Sequence, residues 1–166
     1  NCVGVLEGQE WSAESWSSEG AQADFLADFA GWHEDLQVLI RNAERCFRWG
    51  LFDRDPMPRW SDGRVALLGD ACHPMLPFMA QGAVMGLEDA HTLTRCLDVN
   101  DDPAAALVRY EDLRRERTAI VQRMARENMS FFHDPDVDDL DERLNSHRDA
   151  HMWLYGFDVT DQEFAA

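Results

Sequence analysis

The sequence predicts an α/β protein: a mixed sheet covered by helices and followed by one long helix. Three stretches carry the prediction. "GRVALLGD" (63–70) is a short continuous apolar run between glycines, the pattern of a strand buried on both faces. "RCFRWGLFDRD" (45–55) alternates Phe47, Trp49 and Leu51 and is stopped by Pro56 and Pro58, as a second strand would be. From Asp101 or Asp102 and Pro103 to about Phe132 the chain reads as an uninterrupted helix with the proline in its first turn.

A chain of 166 residues, 45% hydrophobic, is long enough for one compact core and short for two. Its 15 Lys and Arg face 32 Asp and Glu, a formal charge of −17. Such a surplus repels nucleic-acid phosphates and anionic lipid surfaces, so neither nucleic acid nor membrane is an expected partner. Cys2, Cys46, Cys72 and Cys96 form no CxxC pair and follow no secretory leader, so reduced thiols in a soluble, cytoplasmic protein are expected. No apolar run approaches the roughly 20 residues of a membrane span. The chain begins at Asn1 in mid-strand, which suggests that the natural product starts earlier.

From the N-terminus, "NCVGVLE" alternates like a half-buried strand, and "EWSAESW" can pair back on it as a hairpin. Residues 20–31 place Phe25, Leu26 and Phe29 on one helical face, and a second helix from about Glu34 carries Leu36, Leu39 and Ile40. Gln81 to Leu97 have helical spacing, with Val84, Leu87, Ala90, His91, Thr94 and Leu97 along one side. In the long helix, Arg109, Arg114, Arg115, Arg117, Arg123 and Arg126 are interleaved with Glu111, Asp112, Glu116 and Glu127. That reads as a solvated, salt-bridged face; a docking site for an anionic cofactor is the sharper alternative. The acidic "HDPDVDDLDE" from His133 reads as a loop, and "HMWLYGFD" (151–158) as an apolar stretch that packs back on the body.

The segment "GDACHP" (69–74) joins the apolar strand to the helix from Gln81. Thiol catalysis would need Cys72 beside a base, but neighbours in an extended loop point apart, so a small side chain packed beneath the loop is the better reading. His147 and His151 have helical i,i+4 spacing without a nearby third ligand, and no metal is expected. A ligand at the strand's carboxyl end fits better. Asp70 can accept hydrogen bonds from ribose-like or ribityl hydroxyls, the helix start at Gln81 offers unpaired N–H groups, and Gly82 lets a flat ligand approach the backbone. An ordinary strand-to-helix connection accounts for the spacing equally well.

The longer pattern "GRVALLGDACHPMLPFMAQGAVMGLEDAHTLTRCL" resembles the second flavin-binding motif of the single-component FAD-dependent aromatic hydroxylases, the group that contains salicylate hydroxylase. "LFDRDPMPRW" before it, "RYEDLRRERTAIVQRMARENMSFFH" after it and the ending "MWLYGFD" are similar to the same enzymes. Those enzymes begin with a GxGxxG unit and carry a later Asp-Gly segment, neither of which is present here. The resemblance therefore implies the C-terminal part of a glutathione-reductase-like FAD-binding fold. Residues 1–58 would be the end of the substrate domain, 59–100 an FAD-domain segment, and 101–166 the long helix and C-terminal segment.

The resemblance also implies roles. Asp70 would bond the ribityl chain of FAD, Gly69 would permit close approach, Pro77 would lie beside the isoalloxazine, and Gln81, Gly82 and Ala83 would present the helix start to its pyrimidine end. Glu88 and Asp89 would fix the helix to neighbouring backbone. Cys72 stands where the family has a small residue such as alanine, and Ala80 where many members have glycine. Phe47, Trp49 and Phe52 would belong to the sheet that roofs the flavin. The implied reaction is NAD(P)H- and O2-dependent hydroxylation of a small aromatic acid such as a salicylate-like phenol. The catalytic base is unassigned: His73 matches the motif and serves either the chemistry or the loop. A homodimer is an assembly left open. As an isolated 166-residue polypeptide the chain is expected to be inactive. The rival readings are another FAD oxidoreductase with the same motif, of halogenase or reductase type, and a non-catalytic acidic module that binds a protein through the long helix.

Overall fold

The computed structural model describes residues 2–7, 15, 17–132 and 148–164. The chain divides into two compact units, Asn1–Phe52 and Asp53–Ala166. Among the described residues no helix is long and apolar enough to cross a membrane.

In the first unit, β1 (Glu19–Gly20) pairs antiparallel with β2 (Cys46–Phe47), and between them lie α1 (Gln22–Asp28) and α2 (Glu34–Arg41). Glu34 and Asp35 in the first turn of α2 and Arg41 in its last complement the helix dipole. The Gln22 amide donates to the carbonyls of Ile40 and Ala43, at 2.9 and 3.0 Å, closing the C-terminal end of α2. Phe29 and Ile40 are buried, and Phe29 meets Phe25 and Trp32 edge-on at 5.3 and 5.2 Å.

The strand expected over "NCVGVLE" is absent from residues 2–6, which are exposed and irregular. Alternation makes a strand only where a neighbour supplies the ladder, and the expected partner "EWSAESW" lies almost wholly outside the described residues. The run 45–55 likewise forms a strand only at β2. Beyond it, Arg126 binds the side chains of both Asp53 and Asp55, drawing the charged "DRD" stretch onto a helix instead of a sheet.

In the second unit, β3 (Ser61–Asp62) and β4 (Val65–Ala66) form an antiparallel hairpin, with Gly63 at φ +57° supplying the left-handed turn residue. The expectation of a strand buried on both faces over 63–70 is corrected here. Only Val65–Ala66 pair, and Val65 is 66% exposed. A central strand needs a paired neighbour on each edge and a packed layer over each face, and among the described residues β4 pairs with β3 alone and leaves Val65 exposed.

The body of this unit is α3 (Gly82–Val99) packed on α4 (Pro103–Phe132), with α5 (Arg148–Tyr155) beyond them. Trp60, Cys72, Cys96, Ala106, Tyr110 and Phe164 form the core cluster between hairpin, helices and tail. The tail is pinned by Arg109, whose guanidinium donates to the Glu163 carbonyl at 3.0 Å, and by Phe164 edge-on to His91 at 5.8 Å.

Two helix faces differ from expectation. The buried side of α3 is Met85, Glu88, Asp89, Thr92 and Cys96, whereas Val84, Leu87 and Leu97 are exposed. On α4, Glu111, Arg114 and Arg117 are buried, so the arginine-bearing face is in part interior. Hydrophobic periodicity misplaces both faces for one reason: the two helices contact through paired charges. The acidic stretch from His133 and His147 of the expected His147/His151 pair lie outside the described residues.

Glu111 anchors the hairpin. Its carboxylate accepts from the Ser61 N–H and hydroxyl at 2.8 and 2.6 Å and from Arg115 at 3.1 Å. Burial opposes ionisation of Glu111, but the bonds from Ser61 and the charge of Arg115 outweigh it and hold the carboxyl below the ordinary carboxylate range. A carboxyl depressed in the folded state contributes stability above its unfolded value, and that stability is lost as pH falls through the folded value. Glu111→Gln should therefore cost about 1–3 kcal/mol at neutral pH in urea unfolding, with a smaller penalty below pH 4. Ala80, at φ +52°, is the sole non-glycine in the left-handed region among the described residues. Ala80→Gly should relieve about 1 kcal/mol of strain and raise the urea midpoint.

Candidate functional site

The loop from β4 to α3 is built on Gly69. At φ +62°, it turns the chain in a conformation that a side chain disfavours, and it opens a 3-10 turn over Gly69–Ala71. Its carbonyl accepts the N–H groups of Cys72 and His73, both at 3.0 Å, and the Cys72 thiol at 3.4 Å. The turn leaves Asp70 exposed and sends Cys72 and His73 inward. A second 3-10 turn, Pro77–Met79, ends on Ala80 and delivers the chain to α3. Pro77 and Ala83 are exposed, while Gln81 is buried at the α3 start.

Asp70 and the start of α3 adjoin. A Cβ added to Gly82 would lie 3.9 Å from Asp70 Oδ1 and 3.8 Å from Met75 Cγ, so the glycine leaves bare backbone beside the carboxylate. No side chain caps the helix, and its first turn holds no acidic residue. The free N–H groups and the positive dipole end of an 18-residue helix thus stand open next to Asp70.

Beneath the loop lies a buried charge network. Asp89 Oδ2 accepts the Gly69 N–H at 3.1 Å and meets His73 Nε2 at 2.5 Å, and Asp89 Oδ1 accepts from Arg114 Nε at 2.8 Å. Arg114 Nη1 is 2.7 Å from Glu88 Oε2, an ion pair off the N–H direction. Arg117 grips both oxygens of Glu88 at 2.8 and 2.9 Å, donates to the Leu154 carbonyl at 3.1 Å and packs against the Phe157 and Trp153 rings. Burial alone would raise the Asp89 carboxyl, but the bonds and charges of His73 and Arg114 hold it below the ordinary range.

Cys72, His73 and Asp89 each bring one potential ligand atom within 4.8 Å of the others. Both Asp89 oxygens are already engaged, and a guanidinium occupies one side of the carboxylate, which favours a hydrogen-bonded network over a cation. The Cys72 thiol is pushed up to about 12, first by burial and then by the Asp89 charge, so it is neither thiolate ligand nor nucleophile at neutral pH. His73 is fully buried between Asp89 and Trp60, whose ring centroid is 5.3 Å away, and so stands in the frame of the loop.

From the other side, α4 holds the loop's backbone. Tyr110 donates to the Leu67 carbonyl at 3.2 Å, Gln122 to the Pro74 carbonyl at 2.9 Å, and Asn128 to the Phe78 carbonyl at 2.8 Å. With Arg114, these are the residues that sequence reasoning missed. The signal for Tyr110, Arg114 and Gln122 is a polar stripe at helical spacing, 110, 114, 118 and 122, running alongside the small or apolar 106, 121 and 125; Asn128 is not part of it.

Comparison with known proteins is consistent with this geometry. The chain is 42% identical over 161 residues to the 3-amino-4-hydroxybenzoate 2-monooxygenase PtnB3 of Streptomyces platensis, covering 93% of this chain and 41% of that protein. It is 44% identical over 160 residues to the 6-hydroxynicotinate 3-monooxygenase of Bordetella bronchiseptica, covering 95% of this chain and 38% of that one. Among solved structures, a salicylate hydroxylase substrate complex superposes with a TM-score of 0.73 at 32% identity, covering 94% of this chain and 40% of the other. The chain thus spans about two fifths of the length of these relatives. Residues 43–128 match the family described as "FAD binding domain". That match takes in the hairpin, the Gly69 turn, α3 and most of α4, and the chain belongs to the FAD binding domain family.

Proposed function

We propose that the protein is an FAD-dependent monooxygenase that uses NAD(P)H and O2 to hydroxylate a small aromatic acid of the salicylate kind. The observation that carries this reading is the exposed Asp70 on its left-handed glycine turn, set against the uncapped, acid-free start of α3 across the bare Gly82. A polyol chain leading into a flat, electron-accepting ring has complementary needs: an acceptor for its hydroxyls, then open backbone, then N–H donors. The names of the relatives support the substrate class, since hydroxybenzoate and hydroxynicotinate are both hydroxylated aromatic carboxylates.

In this reading Asp70 accepts from ribityl hydroxyls and Gly69 gives the backbone room to approach. Pro77 offers an apolar edge to the ring. Gln81, Gly82 and Ala83 bring the α3 start to its pyrimidine end, where positive potential stabilises the negative charge of the reduced state. Bound FAD would supply the redox chemistry, accepting a hydride from NAD(P)H and activating O2 for transfer of one oxygen atom to the substrate ring. This chain's residues orient and electrostatically bias that chemistry, and His73 and Cys72 hold the loop from within. We place the protein in the cytoplasm, where NAD(P)H is available and four free cysteines stay reduced.

Protein expressed from the whole gene should be yellow, with flavin absorption bands, and should oxidise NAD(P)H in the presence of a hydroxylated benzoate. A colourless, FAD-indifferent product would sink the proposal. Asp70→Ala should weaken FAD binding about tenfold or more by fluorescence titration, since the bonds lost are to a charged acceptor. Its thermal midpoint without FAD should be unchanged, because Asp70 is exposed. Normal flavin content in that variant would remove the anchor from the site.

A further inference from the structure

We infer that Asp89 is a positioning residue for the cofactor: from beneath the loop, its carboxylate sets the Gly69 turn and so aims Asp70 at the start of α3. The inference rests on the flavin reading above and goes beyond it by assigning control of the site to a residue that is fully buried.

Gly69 needs its peptide groups held on both sides. A left-handed residue at the mouth of a loop is free to swing unless its peptide is fixed on both sides. The Gly69 carbonyl is fixed locally, by Cys72 and His73. Its N–H is fixed by Asp89 Oδ2 at 3.1 Å, a bond that spans 20 residues of sequence and ties the turn directly to the second turn of α3. The same oxygen meets His73 Nε2, so one carboxylate oxygen binds the first residue of the turn and His73, two residues past its end. Asp89 is itself immobilised by Arg114 of α4. Arg114 also contacts Glu88, which Arg117 grips at both oxygens.

The helix carrying Asp89 begins at Gly82, whose Cα faces Asp70. The two ends of the cradle are therefore joined twice, once through the loop and once through the bond from Asp89 to Gly69. A carboxylate suits this role because it accepts from a backbone N–H, an imidazole and a guanidinium at once, which an amide cannot do.

A merely structural Asp89 would affect folding and FAD binding independently of Asp70, whereas a positioning Asp89 acts on FAD through Asp70. A double-mutant cycle on protein expressed from the whole gene separates the two. Asp89→Asn should weaken FAD binding about tenfold in the wild-type background and less than about twofold in the Asp70→Ala background. Its effect on the thermal midpoint without FAD should be the same in both. Equal loss of FAD affinity in the two backgrounds, or no loss, would overturn the inference while leaving the flavin reading intact. If the unsubstituted protein ignores FAD, both fall, and that result appears before any variant is made. Should Asp89→Asn fail to fold, His73→Gln, which keeps a donor toward Asp89, should show the same non-additivity at smaller amplitude, and additivity there would equally overturn the inference. Amide exchange gives a reading without FAD. The Gly69 amide should exchange about tenfold faster in the variant than in the parent, and unchanged protection would refute the bond's role.

Discussion

The interaction on which the second unit depends is the burial of one negative charge. A carboxylate with no exposure to water costs several kcal/mol unless its charge and lone pairs are met, and Asp89 is met on every side. Arg114 reaches it from α4, His73 and the Gly69 N–H from the loop. The helix pair, the loop and the core tryptophan that backs His73 are thereby constrained by a single electrostatic condition. Removing Arg114 would leave the Asp89 carboxylate in a low-dielectric interior without its guanidinium partner, which couples the two helices and the loop energetically.

The same condition explains what could be read in the sequence and what could not. Asp70 and Gln81-Gly82 stood out in the sequence by their place at a strand end and a helix start, whereas Gly69 and Pro77 entered only through the family resemblance; the left-handed φ of Gly69 and the 3-10 turn that begins at Pro77 are seen only in the structure. The helices over 22–28, 34–41, 82–99 and 103–132 were legible from periodicity and from Pro103. The orientation of α3 was not. Its most apolar side, with Leu87, faces outward, while Glu88 and Asp89 face inward, and periodicity rewards only apolar burial. Arg114 and Arg117 were hidden for the same reason, as members of a charge series that looks solvated until their carboxylate partners on another helix are known.

The strand expectation failed on a different ground. Val65, Leu67 and Leu68 have the composition of a central strand, yet a central strand is defined by what flanks it. Sequence reports the demand for burial and not whether neighbours satisfy it. The hairpin with Ser61–Asp62 satisfies one edge, and Glu111 and Tyr110 secure it from α4 through hydrogen bonds, so its position is fixed by polar anchors more than by apolar cover.

The protonated Cys72 has a further consequence for durability. Peroxides attack thiolates, not thiols, and burial keeps the Cys72 thiol protonated at neutral pH. The chain carries this sulfur directly behind the Gly69 turn. Burial first, and then the negative charge of Asp89 beside it, keeps that sulfur chemically silent. Buried in this network, the thiol leaves an oxidant no thiolate to attack at neutral pH.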